Sequence, residues 1–138
     1  MPALFGSSVC ETFELKRAVS VLLDAISSLS KGGLKEIKVA SEIFSFFKQL
    51  NALLDRSLNS KSKTVNYEYW DQANSTKEDF RKKAQAFVSD EGKKVTLVEL
   101  EKFLKKVTTK LNAGLKRAKD KKTNTYFTYF TGIRGFLK

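Results

Sequence analysis

Apolar residues recur at intervals of three and four from residue 97 to residue 118, and this spacing constrains the fold more than any other feature. On a helix these positions fall within about 120° of arc, so they form one continuous apolar face. A capping box from Thr96 to Glu99 marks the start of the predicted helix. Its inner face is Leu97, Leu100, Phe103, Leu104, Val107, Leu111, Leu115 and Ala118.

Two amphipathic segments lie in the first half of the chain. A capping box from Ser8 to Glu11 predicts the start of the first helix, and Gly32 with Gly33 predicts its end. Its predicted inner face is Leu15, Val19, Leu22, Ile26 and Leu29. The second segment has a wider stripe, which favours a central helix: Ile37, Ala40, Phe44, Phe47, Leu54 and Leu58, widened by Val39, Ile43, Phe46, Leu50 and Leu53.

A third helix is predicted after the capping box from Ser75 to Glu78, ending near Asp90. Before it, in residues 65–69, apolar and polar residues alternate, which is typical of a strand. The Tyr/Phe-rich residues 126–130 also favour a strand. We therefore predict a mainly α fold, a bundle of about four principal helices with a small two-stranded β element pairing these two segments. The inner residues of the third helix would be Phe80, Ala84, Phe87 and Val88.

The chain divides into a helical bundle domain, residues 1–122, and an aromatic and basic C-terminal tail, residues 123–138. We expect the tail to pack on the bundle or on a neighbouring subunit. The start of the chain has no basic leader, and no apolar run approaches the roughly 18 residues of a membrane span. The expected location is therefore intracellular, cytoplasmic or nuclear.

The sequence contains no histidine, which removes the commonest general base and the commonest metal ligand. No glycine-rich phosphate loop of the GxxxxGK[ST] or GxGxxG type occurs. Cys10, the single cysteine, has no histidine with which to form a nucleophilic pair, so we expect it to be a small buried thiol. These features predict a non-enzymatic protein that needs no cofactor and no metal.

Basic residues outnumber acidic residues by 26 to 15, which gives a formal charge of +11. Over residues 102–122 the only acid is Asp120. Lysine acts as a flexible point charge, which suits polyanion backbones better than base edges. The predicted nucleic-acid-binding residues are Lys102, Lys105, Lys106, Lys110, Lys116, Arg117, Lys119, Lys121 and Lys122.

The tail interleaves aromatic and basic residues, a composition that can stack on exposed bases or mediate assembly. The residues predicted for this role are Tyr126, Phe127, Tyr129, Phe130, Arg134 and Phe136. The leading hypothesis is a small nucleocapsid-like or architectural protein that binds nucleic acid, or another polyanion, without sequence preference and oligomerises through its tail. One alternative is a peripheral or membrane-active protein bound to anionic lipid. Another is an interaction module for an acidic protein partner.

Overall fold

The computed structural model describes residues 9–62, 64–86, 89 and 91–127. Within these ranges the chain forms four helices and two strands, so the fold is mainly α with a small β element, as predicted. In chain order the elements are α1 (Val9–Lys31), β1 (Glu36–Ala40), α2 (Ser41–Asn59), α3 (Val65–Ala86), β2 (Gly92–Thr96) and α4 (Leu97–Ala118).

The four helices form two antiparallel pairs, α1 with α4 and α2 with α3, and the pairs meet where α2 packs on α4. Helix α2 runs parallel to α4, because Lys48 of α2 contacts Glu99 of α4, and Ser57, further along α2, contacts Lys110, further along α4. Helix α3 is antiparallel to α2, since Phe46 stacks on Phe80 at a centroid distance of 4.6 Å. Arg56 donates to Gln72 at the other end of the same pair. Each helix therefore has one antiparallel neighbour, and α2 and α4 are also parallel neighbours of each other.

Strands β1 and β2 form an antiparallel ribbon at one end of the bundle. Glu36 pairs with Thr96, Ile37 with Val95, and Ala40 with Gly92. Strand β1 leads directly into α2 and β2 leads directly into α4. Because the strands are antiparallel, the start of α2 and the start of α4 lie at opposite ends of the ribbon.

The predicted strand over residues 65–69 is wrong, because these residues form the first turns of α3. Val65 and Tyr69 are four positions apart, so on a helix they share one face, and both are half-buried. A five-residue alternation cannot distinguish this helical spacing from a strand. Of its predicted partner segment, Tyr126 forms an isolated bridge with Lys119, and residues 128–130 lie outside the described residues.

Two boundaries also differ from the sequence prediction. Residues Ile37 to Ala40 belong to β1 and not to the second helix. Ser75 is not a helix start, since it lies within α3 and its hydroxyl donates to the carbonyl of Asp71 at 3.1 Å. A capping box is a local pattern, and it marks a start only where the preceding residues are not already helical.

The main core lies between α1 and α4, which pack antiparallel. Its buried residues are Val19, Ile26, Leu97 and Leu104, and they are surrounded by Leu23, Ile37, Leu100, Phe103, Val107 and Leu111. The predicted inner face of α4 is thus confirmed. The predicted face of α1 is only partly right, because Leu15, Leu22 and Leu29 remain 51%, 52% and 46% exposed. The apolar residues of α1 span a wider arc of the helix surface than the arc that α4 covers.

The two halves of the chain, residues 9–59 and residues 65–118, share the element order helix–strand–helix. They interlock, because α1 packs on α4, β1 pairs with β2, and α2 packs on α3 and α4. Most tertiary contacts of each half are therefore made with the other half.

Helix α4 begins at the predicted capping box. The Thr96 hydroxyl accepts from the Glu99 N–H at 3.2 Å, and the Glu99 carboxylate accepts from the Thr96 N–H at 3.1 Å. The same carboxylate accepts from Lys48 Nζ at 2.8 Å, which links α4 to α2. Hydrogen bonding from Lys48, then from Thr96, lowers the pKa of Glu99 from 4.5 to about 2.

We expect this lowered pKa to make Glu99 a source of acid sensitivity. Because the folded-state value is below the unfolded-state value, the stabilisation is present above pH 4.5 and is lost as the pH falls towards about 2. Urea unfolding of the wild type and Glu99→Gln should therefore differ most at neutral pH, with the difference shrinking between these two pH values. A difference that is constant with pH would contradict the assignment.

Candidate nucleic-acid interface

The basic residues of α4 fall into two rows that face different surroundings. Lys102, Lys105 and Lys116 are exposed on the open side of the helix. Lys106 and Lys110 are half-buried and reach towards α2 and α3. The nine predicted binding residues therefore do not form one continuous outward surface.

Lys106 is a structural residue of the α2–α4 contact. Its Nζ atom lies 2.6 Å from the Asp55 carboxylate and donates to Asn51 Oδ1 at 3.0 Å. On the open side, Lys105 pairs with Glu101, one turn earlier, at 2.6 Å. The charges of Lys105 and Lys106 are thus compensated within the bundle.

Lys110 occupies a polar junction of three helices. It donates to Ser57 Oγ of α2 at 2.5 Å and to Asn66 Oδ1 of α3 at 2.9 Å, and its Nζ lies 4.3 Å from the centroid of the Tyr69 ring. Burial lowers the pKa of Lys110, and the positive charge of Arg117 lowers it further. Arg117, two turns later on α4, is therefore close enough to repel the charge of Lys110.

Five cations at and after the end of α4 are all exposed, and we call them the basic end: Lys116, Arg117, Lys119, Lys121 and Lys122. Within the described ranges none of the five takes part in an ion pair. By contrast, Lys48, Lys77, Lys93, Lys94 and Lys105 each pair with a carboxylate. The basic end is therefore the part of the predicted site where charge is least compensated.

A tight turn holds the last three of these lysines. The Asp120 N–H donates to the Thr125 carbonyl at 2.8 Å, and the Phe127 N–H donates to the Ala118 carbonyl at 2.9 Å. The Asp120 carboxylate accepts from the Lys122 N–H at 3.0 Å and from the Thr123 hydroxyl at 2.8 Å. These bonds, the Lys122 N–H first, lower the pKa of Asp120. The one acid of the segment thus shapes the turn.

Two predicted tail residues lie beside this turn. Tyr126 is 42% exposed and packs edge-on against Phe13 of α1, with ring centroids 5.1 Å apart. Phe127 is 49% exposed. The other predicted tail residues, Tyr129, Phe130, Arg134 and Phe136, lie outside the described residues.

Helix α3 also carries an aromatic pair that was not predicted from the sequence, Tyr67 and Trp70. Trp70 is 60% exposed, and its ring centroid lies 5.9 Å from that of Tyr67. Asn66, one turn before Trp70, is the α3 residue that contacts Lys110. The pair therefore lies on the part of α3 that adjoins the C-terminal half of α4. The sequence does indicate this pair, because two aromatic residues three positions apart share one face of a helix. The prediction of a strand in this segment placed them on opposite faces instead.

Cys10 is exposed, so the prediction of a buried thiol is wrong. It precedes Arg17 and Asp24 at seven-residue intervals and therefore shares their exposed side of α1.

No group of three or more potential metal-ligating side chains occurs within the described ranges. Among the helices described, none is long and apolar enough to cross a membrane. No family model matches this chain, and no curated protein matches it.

Proposed function

We propose that this protein binds nucleic acid without sequence preference, through phosphate contacts made by the basic end. The observation that carries the proposal is the concentration of five exposed cations, none of them ion-paired within the described residues, in a chain whose other described cations are often paired. Lysine-rich clusters of this kind neutralise phosphates and release counterions, a source of affinity that does not depend on base sequence.

The predicted residues have different roles in binding and in structure. Lys116, Arg117, Lys119, Lys121 and Lys122 contact phosphates, and exposed Lys102 extends this surface along α4. Lys106 and Lys110 hold the helices together. Tyr67 and Trp70 offer ring faces on which unpaired bases can stack, so single-stranded nucleic acid is the preferred ligand.

Charge removal at the basic end tests the proposal. We expect the combined replacement of Lys116, Arg117, Lys121 and Lys122 by glutamine to weaken binding to a single-stranded oligonucleotide by about tenfold or more at low salt. The slope of log affinity against log salt should become shallower by about 0.7 for each phosphate that the variant no longer neutralises. Fluorescence anisotropy over a range of salt concentrations measures both quantities.

A matched control removes the same charge at the other end of the bundle, by replacing Lys35, Lys38, Lys82 and Lys83 with glutamine. All four are exposed. We expect this control to retain affinity within a few-fold of the wild type. Equal reductions of affinity in the two variants would show that net charge, rather than the basic end, determines binding. Undetectable wild-type binding at low salt would eliminate the proposed function.

A second candidate function is binding to anionic membrane surfaces. The exposed aromatic rings of Tyr126 and Phe127 beside Lys119, Lys121 and Lys122 favour it, because such a surface can combine headgroup contacts with interfacial aromatic insertion. Co-sedimentation with vesicles containing anionic lipid, compared with neutral vesicles, distinguishes the two candidates. An acidic protein partner would instead predict weak binding to both polyanions.

A further inference from the structure

A cavity of about 220 Å³ lies between the first half of α2 and the C-terminal half of α3. Sites for drug-sized ligands are typically larger, roughly 300–1,000 Å³, so this cavity suits a smaller molecule. Neither the basic end nor the aromatic pair of Tyr67 and Trp70 contributes to its lining. The cavity is therefore separate from the candidate nucleic-acid interface.

Two phenylalanine rings form the apolar part of the lining. Phe46 of α2 and Phe80 of α3 stack with a centroid distance of 4.6 Å and an interplanar angle of 16°, and both line the cavity. Both residues are only half-buried, so part of the ring pair is accessible from the cavity. An apolar group that enters the cavity removes this surface from water.

The lining also carries charges of both signs. Glu42 and Asp79 contribute two carboxylates, and Lys83 contributes an ammonium group. Glu42 accepts hydrogen bonds from the N–H and the hydroxyl of Ser89, at 3.3 and 3.1 Å. A hydrogen bond from its own backbone N–H lowers the pKa of Glu42 most, and those from Ser89 add to this effect against the opposing effect of burial. Glu42 is therefore ionised at neutral pH.

Four polar side chains of the lining make no hydrogen bond or ion pair within the described part of the chain: Gln49, Thr76, Asp79 and Lys83. Asp79 and Lys83 are one helical turn apart, a spacing at which opposite charges commonly pair, yet they do not pair here. Unused donors, acceptors and charges that meet at one cavity beside an apolar surface are typical of a ligand site.

We propose that this cavity binds a free amino acid. The ammonium group of the ligand lies between the carboxylates of Glu42 and Asp79, and its carboxylate lies against Lys83. Its side chain packs on the rings of Phe46 and Phe80, which favours an apolar or aromatic amino acid. Each charged group of the lining then meets a group of opposite sign.

A zwitterion fits the charges of this chain better than a simple ion does. The formal charge of +11 disfavours the approach of a small organic cation, and the carboxylates of Glu42 and Asp79 repel a small anion. A zwitterion has no net charge, so neither repulsion opposes its entry. The amide of Gln49 and the hydroxyl of Thr76 supply both donors and acceptors for its remaining polar atoms.

The experiment titrates the ¹⁵N-labelled full chain with L-phenylalanine and follows its amide NMR signals. We expect saturable shifts concentrated in residues 41–49 and 76–83. Three analogues each lack one group of the ligand: 2-phenylethylamine lacks the carboxylate, 3-phenylpropionate lacks the ammonium group, and glycine lacks the ring. Each should bind about tenfold more weakly or worse, because each leaves a charge or the ring pair without a partner. Absence of binding by both L-phenylalanine and L-leucine, or an analogue that binds as tightly as L-phenylalanine, would overturn the proposal.

Two variants test the charged contacts. Lys83→Met and Asp79→Asn should each weaken L-phenylalanine binding by about tenfold, with unchanged helical content by circular dichroism. Lys82→Met is the matched control, because Lys82 is the exposed neighbour of Lys83 on α3 and does not line the cavity, and it should bind like the wild type. Unchanged affinity in Lys83→Met or Asp79→Asn, or an equal loss in Lys82→Met, would overturn the proposal. None of these measurements involves nucleic acid, so their outcome is independent of the proposed function.

Discussion

Replacement of Leu97 by alanine is expected to lower the free energy of unfolding by about 2–5 kcal/mol. Leu97 is 2% exposed and lies in the core between α1 and α4. Its backbone is also fixed, because the Leu97 N–H donates to the Lys35 carbonyl at 2.9 Å and Thr96 caps the helix at the preceding position. The surroundings therefore cannot easily collapse into the space left by the side chain. Urea unfolding followed by circular dichroism measures the effect.

The neighbouring residue provides the control for this substitution. Val98 has the same backbone environment at the start of α4 but is 56% exposed. We expect Val98→Ala to change the free energy of unfolding by no more than about 0.5 kcal/mol. Similar effects at Leu97 and Val98 would contradict the packing of α1 on α4.

The second prediction with a large expected effect is the salt dependence of nucleic-acid binding. If about five cations of the basic end contact phosphates, the affinity for single-stranded nucleic acid should fall by about 10²-fold between 50 and 200 mM salt. The expected slope of log affinity against log salt is about −3.5, from −0.7 for each of five contacts. Fluorescence anisotropy with a labelled oligonucleotide at several salt concentrations gives this slope directly.

A slope close to zero with measurable binding would contradict phosphate contacts as the source of affinity. In that case base stacking on Tyr67 and Trp70 would have to supply the affinity, and Trp70→Ala would then abolish binding. A wild-type slope of the expected size with little change in Trp70→Ala would instead confine recognition to the backbone of the nucleic acid.

Helix α4 could be predicted from the sequence because its apolar face is narrow and its start has a capping box that the structure retains. For helix α1, the same kind of pattern did not predict which residues are buried. Its apolar positions include both the buried Val19 and Ile26 and the exposed Leu15, Leu22 and Leu29. Periodicity reveals that positions share a side of a helix, but it does not reveal how much of that side a neighbour covers.

The ribbon of β1 and β2 could not be predicted because its strands are short and one of them continues an apolar stripe. Ile37 and Val39 fit a helix together with the apolar residues of α2 as well as they fit a strand. Residues 92–96 carry little apolar character apart from Val95, which is 1% exposed. Their strand conformation depends on pairing with residues 36–40, a distant part of the chain.

The candidate site could be predicted only in part for a similar reason. A helical projection gives the direction of Lys106 and Lys110 but not the presence of Asp55 and Ser57 on α2, which bind them. The cluster from Lys116 to Lys122 has no such neighbour in the described structure and remains exposed. The sequence therefore identifies the basic segment, and tertiary packing divides it into structural and accessible lysines.

The interlocking of the two halves affects biosynthesis. As the polypeptide leaves the ribosome, α1 and β1 emerge long before α4 and β2, the elements that cover them. The nascent chain must therefore keep the apolar face of Val19 and Ile26 unburied until α4 has been translated. Native structure then forms in a late step that depends on contacts between distant segments, which is the class of topology that folds slowly and is vulnerable to premature termination.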